Sequence, residues 1–166
     1  MTEREAQWWL FQKFQKASAI IVPNYTPYHW RECDVWRVTD TGYTHEYEIK
    51  VSLSDFHADS KKMWKHMALQ KGHKYAPSMF WYAAPQGLIP HGALPEYAGL
   101  IELGCSAGME VQIIKTAPRL HTIKVDAKQI EHATRACYYR LWTERYRHDE
   151  TSKRLDLAQA RLGYKT

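Results

Sequence analysis

"RECDVWRVT" (Arg31–Thr39) and "THEYEIKVS" (Thr44–Ser52) are separated by a turn signal running from Asp40 to Gly42, and together they read as a β-hairpin. Side chains on a strand point alternately to opposite faces. The second strand therefore carries Tyr47, Ile49 and Val51 on one face and Glu46, Glu48, Lys50 and Ser52 on the other. The first strand places Glu32 and Asp34 on one face, and the hairpin sets it beside Glu48 and Lys50, since cross-strand neighbours lie within about 5.5 Å of each other. Asp34, Glu48 and Lys50 are thus expected to converge at the splayed end of the hairpin. Two converging carboxylates repel unless a cation joins them, and oxygen ligands suit Mg²⁺ or Mn²⁺. Such an ion polarises a phosphoryl oxygen and acidifies water, and a lysine beside it can stabilise the charge that develops. The competing reading is a salt-bridge ladder on a solvated hairpin face.

The rest of the chain supplies a setting of mixed α and β structure. Thr2 and Glu5 form a capping box ahead of Ala6, Leu10 and Phe14 at helical spacing, predicting an amphipathic helix over 3–18. "SAIIVPNY" (18–25) is expected to be a short strand or a turn. Ser52 and Ser54 offer N-caps for a helix over roughly 53–74 that carries Lys61, Lys62, Lys65, Lys71 and Lys74. "SMFWYAA" (78–84) is continuously apolar, as a strand buried on both faces would be. "YAGLIELG" and "MEVQIIKTA" predict two further strands. Asp126 opens a helical extension to about 162, with a break expected near "RHDETS". This order predicts one α/β (α+β mixed) domain over 1–166, a central mixed sheet flanked by helices, with a C-terminal helical extension from about 126.

At 166 residues the chain can bury a sizeable core without staples. Its net charge of +5 permits a polyanionic partner. Cys33, Cys105 and Cys137 are too few and too scattered for a disulfide framework, a four-cysteine metal site or an iron–sulfur cluster, which suits a reducing compartment. The acidic start "MTEREAQWW" lacks the basic and then apolar run of a secretion signal. Residues 75–95 hold no Asp, Glu, Lys or Arg, but Pro77, Pro85, Pro90 and Pro95 break any spanning helix. A cytoplasmic protein without membrane insertion is expected.

Asp34, a hairpin and then Glu48-Ile49-Lys50 resemble the signature of the PD-(D/E)XK, or restriction-endonuclease-like, nuclease superfamily. The flanking "EIKVSLSDFHADSKKMWKH", "FWYAAPQGLIP" and "AGLIEL" are similar to a compact bacterial and phage branch, the MmcB-like DNA-repair nucleases. The likeness covers roughly residues 30–103, leaving the C-terminal third outside it. It departs where Cys33 stands in place of the motif's proline.

The resemblance implies a restriction-endonuclease-like core and Mg²⁺- or Mn²⁺-dependent hydrolysis of DNA phosphodiester bonds, in repair, recombination or phage DNA metabolism. Asp34, Glu48 and Lys50 would be catalytic, with Asp34, Glu48 and the backbone carbonyl of Ile49 as metal ligands. Glu32 and Asp55 are possible auxiliaries, each with a plainer explanation: Glu32 as an edge carboxylate, Asp55 as part of a cap begun by Ser52. Lys61, Lys62 and Lys65 would contact phosphates, against the alternative of a solvated basic face. As phosphate contacts, all three exchanged for alanine are expected to flatten the salt dependence of DNA binding while thermal stability stays nearly intact. Asp59, in the same helix, reads as a solvated acid. A homodimer is common in such a family but not readable here.

The C-terminal "ATRACYYRLWTERYRHDE" interleaves arginine with Tyr138, Tyr139, Trp142 and Tyr146. Aromatics at this spacing are expected to pack the helix onto the domain, and single-strand stacking is the lesser alternative. A protein that keeps the nuclease fold but only binds nucleic acid is the rival to the enzyme.

Overall fold

The hairpin forms as expected in the computed structural model, which describes residues 1–59, 61–104, 110–161 and 163. Strands β2 (Cys33–Thr39) and β3 (Thr44–Ile49) pair antiparallel, from Val38 opposite Thr44 to Val35 opposite Tyr47. Gly42, at a φ of 86°, closes the turn, in the left-handed region where glycine carries no steric penalty. The backbone ladder ends before Asp34 and Glu48 would meet. There Asp34 takes over with its side chain, Oδ2 accepting from the Ile49 N–H at 2.6 Å.

Around this hairpin lies one six-stranded mixed sheet in which spatial order follows chain order. β1 (Ser18–Tyr25), β2 and β3 run as an antiparallel meander. β4 (Met79–Pro85) joins β3 in parallel, β5 (Ala98–Gly104) joins β4 in parallel, and β6 (Glu110–Lys115) closes the edge antiparallel. A parallel neighbour requires a crossover, and between β3 and β4 that crossover is helical.

Two cores follow from the alternation. On one face Tyr47, Ile49, Trp81, Ala83, Ile101 and Leu103 meet Ala6 and Leu10 of α1 (Glu3–Phe14), which begins in the capping box of Thr2 and Glu5. A 3₁₀ turn over Gln15–Ala17 then leads into β1, so the helix is shorter than the expected 3–18. On the other face Trp36, Val38, Phe80, Tyr82 and Leu100 pack with Phe56, Leu69 and Ala133 from the remaining helices. β4 contributes to both cores, as its unbroken apolar run requires.

The expected helix over 53–74 is instead two, α2 (Leu53–Asp59) and α3 (Met63–Gln70), and Lys71 and Lys74 lie beyond them. Ser52, not Ser54, caps α2, its hydroxyl accepting from the Asp55 N–H. The carbonyl of Asp59, where α2 ends, accepts instead from the Lys62 N–H at 2.9 Å and from His66 Nε2 at 2.7 Å. The last helix, α4 (Ala127–Arg161), runs 35 residues without the expected break at "RHDETS". Its start is a reciprocal cap between Asp126 and Gln129. No helix among the described residues is long and apolar enough to cross a membrane. Cys33 and Cys137 are free thiols, and Cys105 lies outside the described residues.

Candidate active site

The charged face of β3 is not solvated. Glu46 is 0 %, Glu48 3 % and Lys50 3 % exposed, because α2 and α3 fold over them. This removes the reading of a surface salt-bridge ladder. A charge withdrawn from water must be compensated or it is strongly destabilising, and here three carboxylates meet three ammonium groups. Glu48 accepts from Lys50 at 2.9 Å, Lys62 at 2.7 Å and Lys65 at 2.6 Å. Lys65 also pairs with Glu46 at 2.6 Å, and Glu46 accepts from the Trp30 indole at 2.6 Å. Asp59 pairs with Lys62 at 2.8 Å and Lys50 at 3.3 Å, and its second oxygen accepts from the Tyr82 hydroxyl at 2.8 Å.

Asp59 is therefore the opposite of the solvated acid expected. At 0 % side-chain exposure it joins the two lysines to Tyr82 and, at 3.5 Å, to His66. His66 in turn bonds Tyr97 through Nδ1. The signal for it was in the sequence: Asp59 follows Phe56 at i+3, so both fall on the buried face of α2. Lys65 likewise shares a face with Ala68 and Leu69. Its side chain is 4 % exposed, so it is a buried ion and not part of a solvated basic face.

The electrostatics divide the two expected metal ligands. Burial works against the charge of Glu48, but the adjacent Lys65 and Lys50, with hydrogen bonds from Lys62 and Lys65, hold its carboxyl well below the usual carboxylate range. Asp34 is pushed up to about 7, first by burial and then by the charge of Glu48, with partial relief from the Ile49 N–H. Among the described residues no lysine or arginine reaches ion-pair distance of Asp34. Of the two expected metal ligands, the lysine cage serves Glu48 and not Asp34.

Asp34 and Glu48 line one cleft of about 720 Å³ together with Arg31, Glu32, Lys61, Lys62, Trp64 and Lys65. Glu32 precedes β2 and is exposed at the cleft wall. Lys61 is exposed at the rim, and Lys62, with 52 % of its side chain in solvent, spans from the rim to Glu48 and Asp59. Arg31 stacks over the half-exposed Trp64 at 5.1 Å. Asp55 is exposed and 3.8 Å from Lys50, and its backbone N–H bonds Ser52, so the cap accounts for its position. The structure thus brings Asp34, Glu48, Ile49 and Lys50 to one point, with Glu32, Lys61, Lys62 and Lys65 around it.

Among the described residues no group of three or more His, Cys, Asp and Glu side chains is gathered as a metal cage. The set that the motif implies is smaller, two carboxylates and a carbonyl, and its chemistry fits a hard divalent ion. The uncompensated Asp34 beside Glu48 is the observation that favours it.

No family model and no curated protein matches this chain. Among solved structures it is similar to SPO1766, a protein of unknown function from Silicibacter pomeroyi, with a TM-score of 0.64 and 19 % identity over 87 % of this chain and 92 % of that one. A likeness at this identity carries the fold alone.

Proposed function

We propose that this chain is a Mg²⁺- or Mn²⁺-dependent nuclease of the PD-(D/E)XK type that hydrolyses DNA phosphodiester bonds. The observation that carries the reading is that Asp34 and Glu48 line one cleft at the point where the β2–β3 ladder gives out, with Lys50 buried against Glu48 at 2.9 Å. Asp34 and Glu48 would hold the ion. An extended residue presents its N–H and C=O to the same neighbouring strand, and the Ile49 N–H already faces Asp34, which makes its carbonyl the natural third ligand. The ion, when bound, supplies Lewis acidity to a phosphoryl oxygen and acidity to a water molecule.

The chain's own residues do the rest. Lys50 Nζ, fixed between Glu48 and Asp59, can donate to the attacking water or to the phosphoryl oxygen that gains charge. Lys61 and Lys62 place positive charge at the mouth, where a phosphate backbone would enter. Lys65 is buried in the ion network and acts on the site by fixing Glu46 and Glu48.

A second reading has its own support: three lysines on Glu48 could neutralise it without any ion, leaving a nucleic-acid-binding accessory protein. Incubation with duplex, single-stranded, branched and flap DNA in Mg²⁺, Mn²⁺ or EDTA separates the two. The nuclease cuts at least one form with an ion and none in EDTA. Binding without cutting on every form, with either ion, gives the site to the accessory reading.

A further inference from the structure

The arginine–aromatic run on α4 does not do what its spacing suggested. Ile130, Ala133, Ala136 and Cys137 pack against the sheet, and Arg140 donates to the carbonyls of Pro23 and Asn24 at the end of β1. Beyond that anchor the helix leaves the body. Tyr138, Tyr139, Trp142 and Tyr146 are 56 %, 60 %, 53 % and 67 % exposed, so they are not core residues. An exposed aromatic row on a free helix face requires a covering partner or a function.

We propose that this face of α4 binds single-stranded nucleic acid by base stacking and phosphate contact. Tyr139, Trp142 and Tyr146 stand at i, i+3 and i+7, one stripe along the helix. The stripe is about 10 Å long, roughly three nucleotide steps of a strand. Every base offers a face to stack on such rings. Residues 135–147 also carry four arginines against one glutamate, the charge a phosphodiester backbone complements and a second copy of the same stretch opposes. The pairs of Arg147 with Glu144 at 2.9 Å and of Arg135 with Glu131 at 4.0 Å lie at the surface, their side chains exposed, and are weak enough for phosphate to replace. Arg145 lies over the Trp142 ring at 5.7 Å, joining charge to stacking surface.

The position of the helix gives the stripe a destination. Asn24, whose carbonyl accepts from Arg140, also accepts through Oδ1 from Gln7 at 2.7 Å, and the same Gln7 amide donates to the Asp34 carbonyl at 3.1 Å. α4 thus departs from the body at the end of β1, the neighbour of the strand that bears Asp34, and a strand held on it would run toward the cleft. That delivery rests on the nuclease reading, whereas the binding does not.

The test is anisotropy of a labelled oligothymidylate and of a duplex of equal length, in EDTA so that cleavage plays no part. The proteins are the full chain, Trp142→Ala/Tyr146→Ala, Arg145→Glu/Arg147→Glu and the charge-matched control Lys13→Glu/Lys16→Glu, whose side chains are exposed on and just after α1. The full chain should hold the single strand tighter than the duplex. Each α4 pair should weaken single-strand binding by about tenfold or more, with an unchanged melting temperature because these side chains are exposed. Lys13→Glu/Lys16→Glu should bind within about threefold of the full chain, since it removes the same charge away from α4. Unchanged affinity in both α4 variants overturns the proposal. So does sedimentation showing a dimer that the aromatic pair converts to monomer while oligothymidylate affinity stays the same, which would assign the face to a second copy. A wild type that cuts nothing refutes the nuclease reading and leaves this binding result standing.

Discussion

Lys65 and Lys61 lie four positions apart on a basic segment and have opposite environments. Lys65 is the only ion-pair partner of Glu46 among the described residues and one of three for Glu48, and Lys65, Glu46 and Glu48 are all buried. Lys65→Met should cost on the order of 3–5 kcal/mol in urea denaturation, because it leaves a buried carboxylate uncompensated. Lys61→Ala should fall within about 0.5 kcal/mol of the parent. Equal, small effects would return both to a solvated face and restore the expectation that exchanging all three lysines leaves thermal stability nearly intact. His45 gives a pH prediction. Burial, then Arg37 and Arg119, lower its pKa to about 4, and its Nδ1 has no hydrogen-bond partner. The folded pKa lies below the unfolded value of 6.5, so the full stability is present above pH 6.5 and is lost as pH falls toward 4. The loss should reach roughly 2 kcal/mol once the ring's partial exposure is allowed for. His45→Phe should flatten that part of a melting-temperature profile, and an unaltered slope would place the titrating group elsewhere. The period-2 alternation made Glu46, Glu48 and Lys50 legible as one face, but a buried ion network and a wet face share the same pattern. What separated them was the cover provided by α2 and α3, which a strand's own residues do not encode.

The elements with local signals were legible and the one without was not. Thr2 with Glu5, and Asp126, mark helix starts through side chains that satisfy otherwise unpaired N–H groups; both caps form, and Gln129 completes the second. Thr2→Ala should cost about 1 kcal/mol by thermal or urea melting. No loss would mean that α1 is held by Ala6 and Leu10 alone. The division between α2 and α3 falls in a stretch with no glycine or proline, so nothing in its propensity ended the helix. Tertiary contacts of Asp59 replace the lost helical bonds: its carbonyl is taken by His66 and Lys62, its carboxylate by Lys50, Lys62 and Tyr82. The same limit applied at α4, where an amphipathic pattern fitted packing and the chain offered no surface to receive it.

The six strands, the crossover helices and the flanking α1 amount to a frame that carries two adjacent strand ends to one cleft. The order of elements and the hairpin pairing were readable because the hairpin, the doubly buried β4 and the later strands announce themselves by alternation or continuous apolarity, whereas the strand order of the sheet was not. The cleft was readable in Asp34, Glu48, Glu32, Lys61, Lys62 and Lys65, which line it, with Lys50 buried behind Glu48. Its lysine cage and its Asp59–His66–Tyr97 support arise from contacts between elements far apart in the chain. The central claim is that Lys50 acts on charge developing at a phosphodiester held in this cleft. Single-turnover cleavage of DNA in Mn²⁺ by the wild type and by Lys50→Met tests it most directly, since methionine keeps the packing of the buried stem and removes the charge. The account predicts wild-type cutting and a loss of about a hundredfold or more in the variant, with DNA affinity within about threefold. Undiminished cutting by Lys50→Met would contradict it.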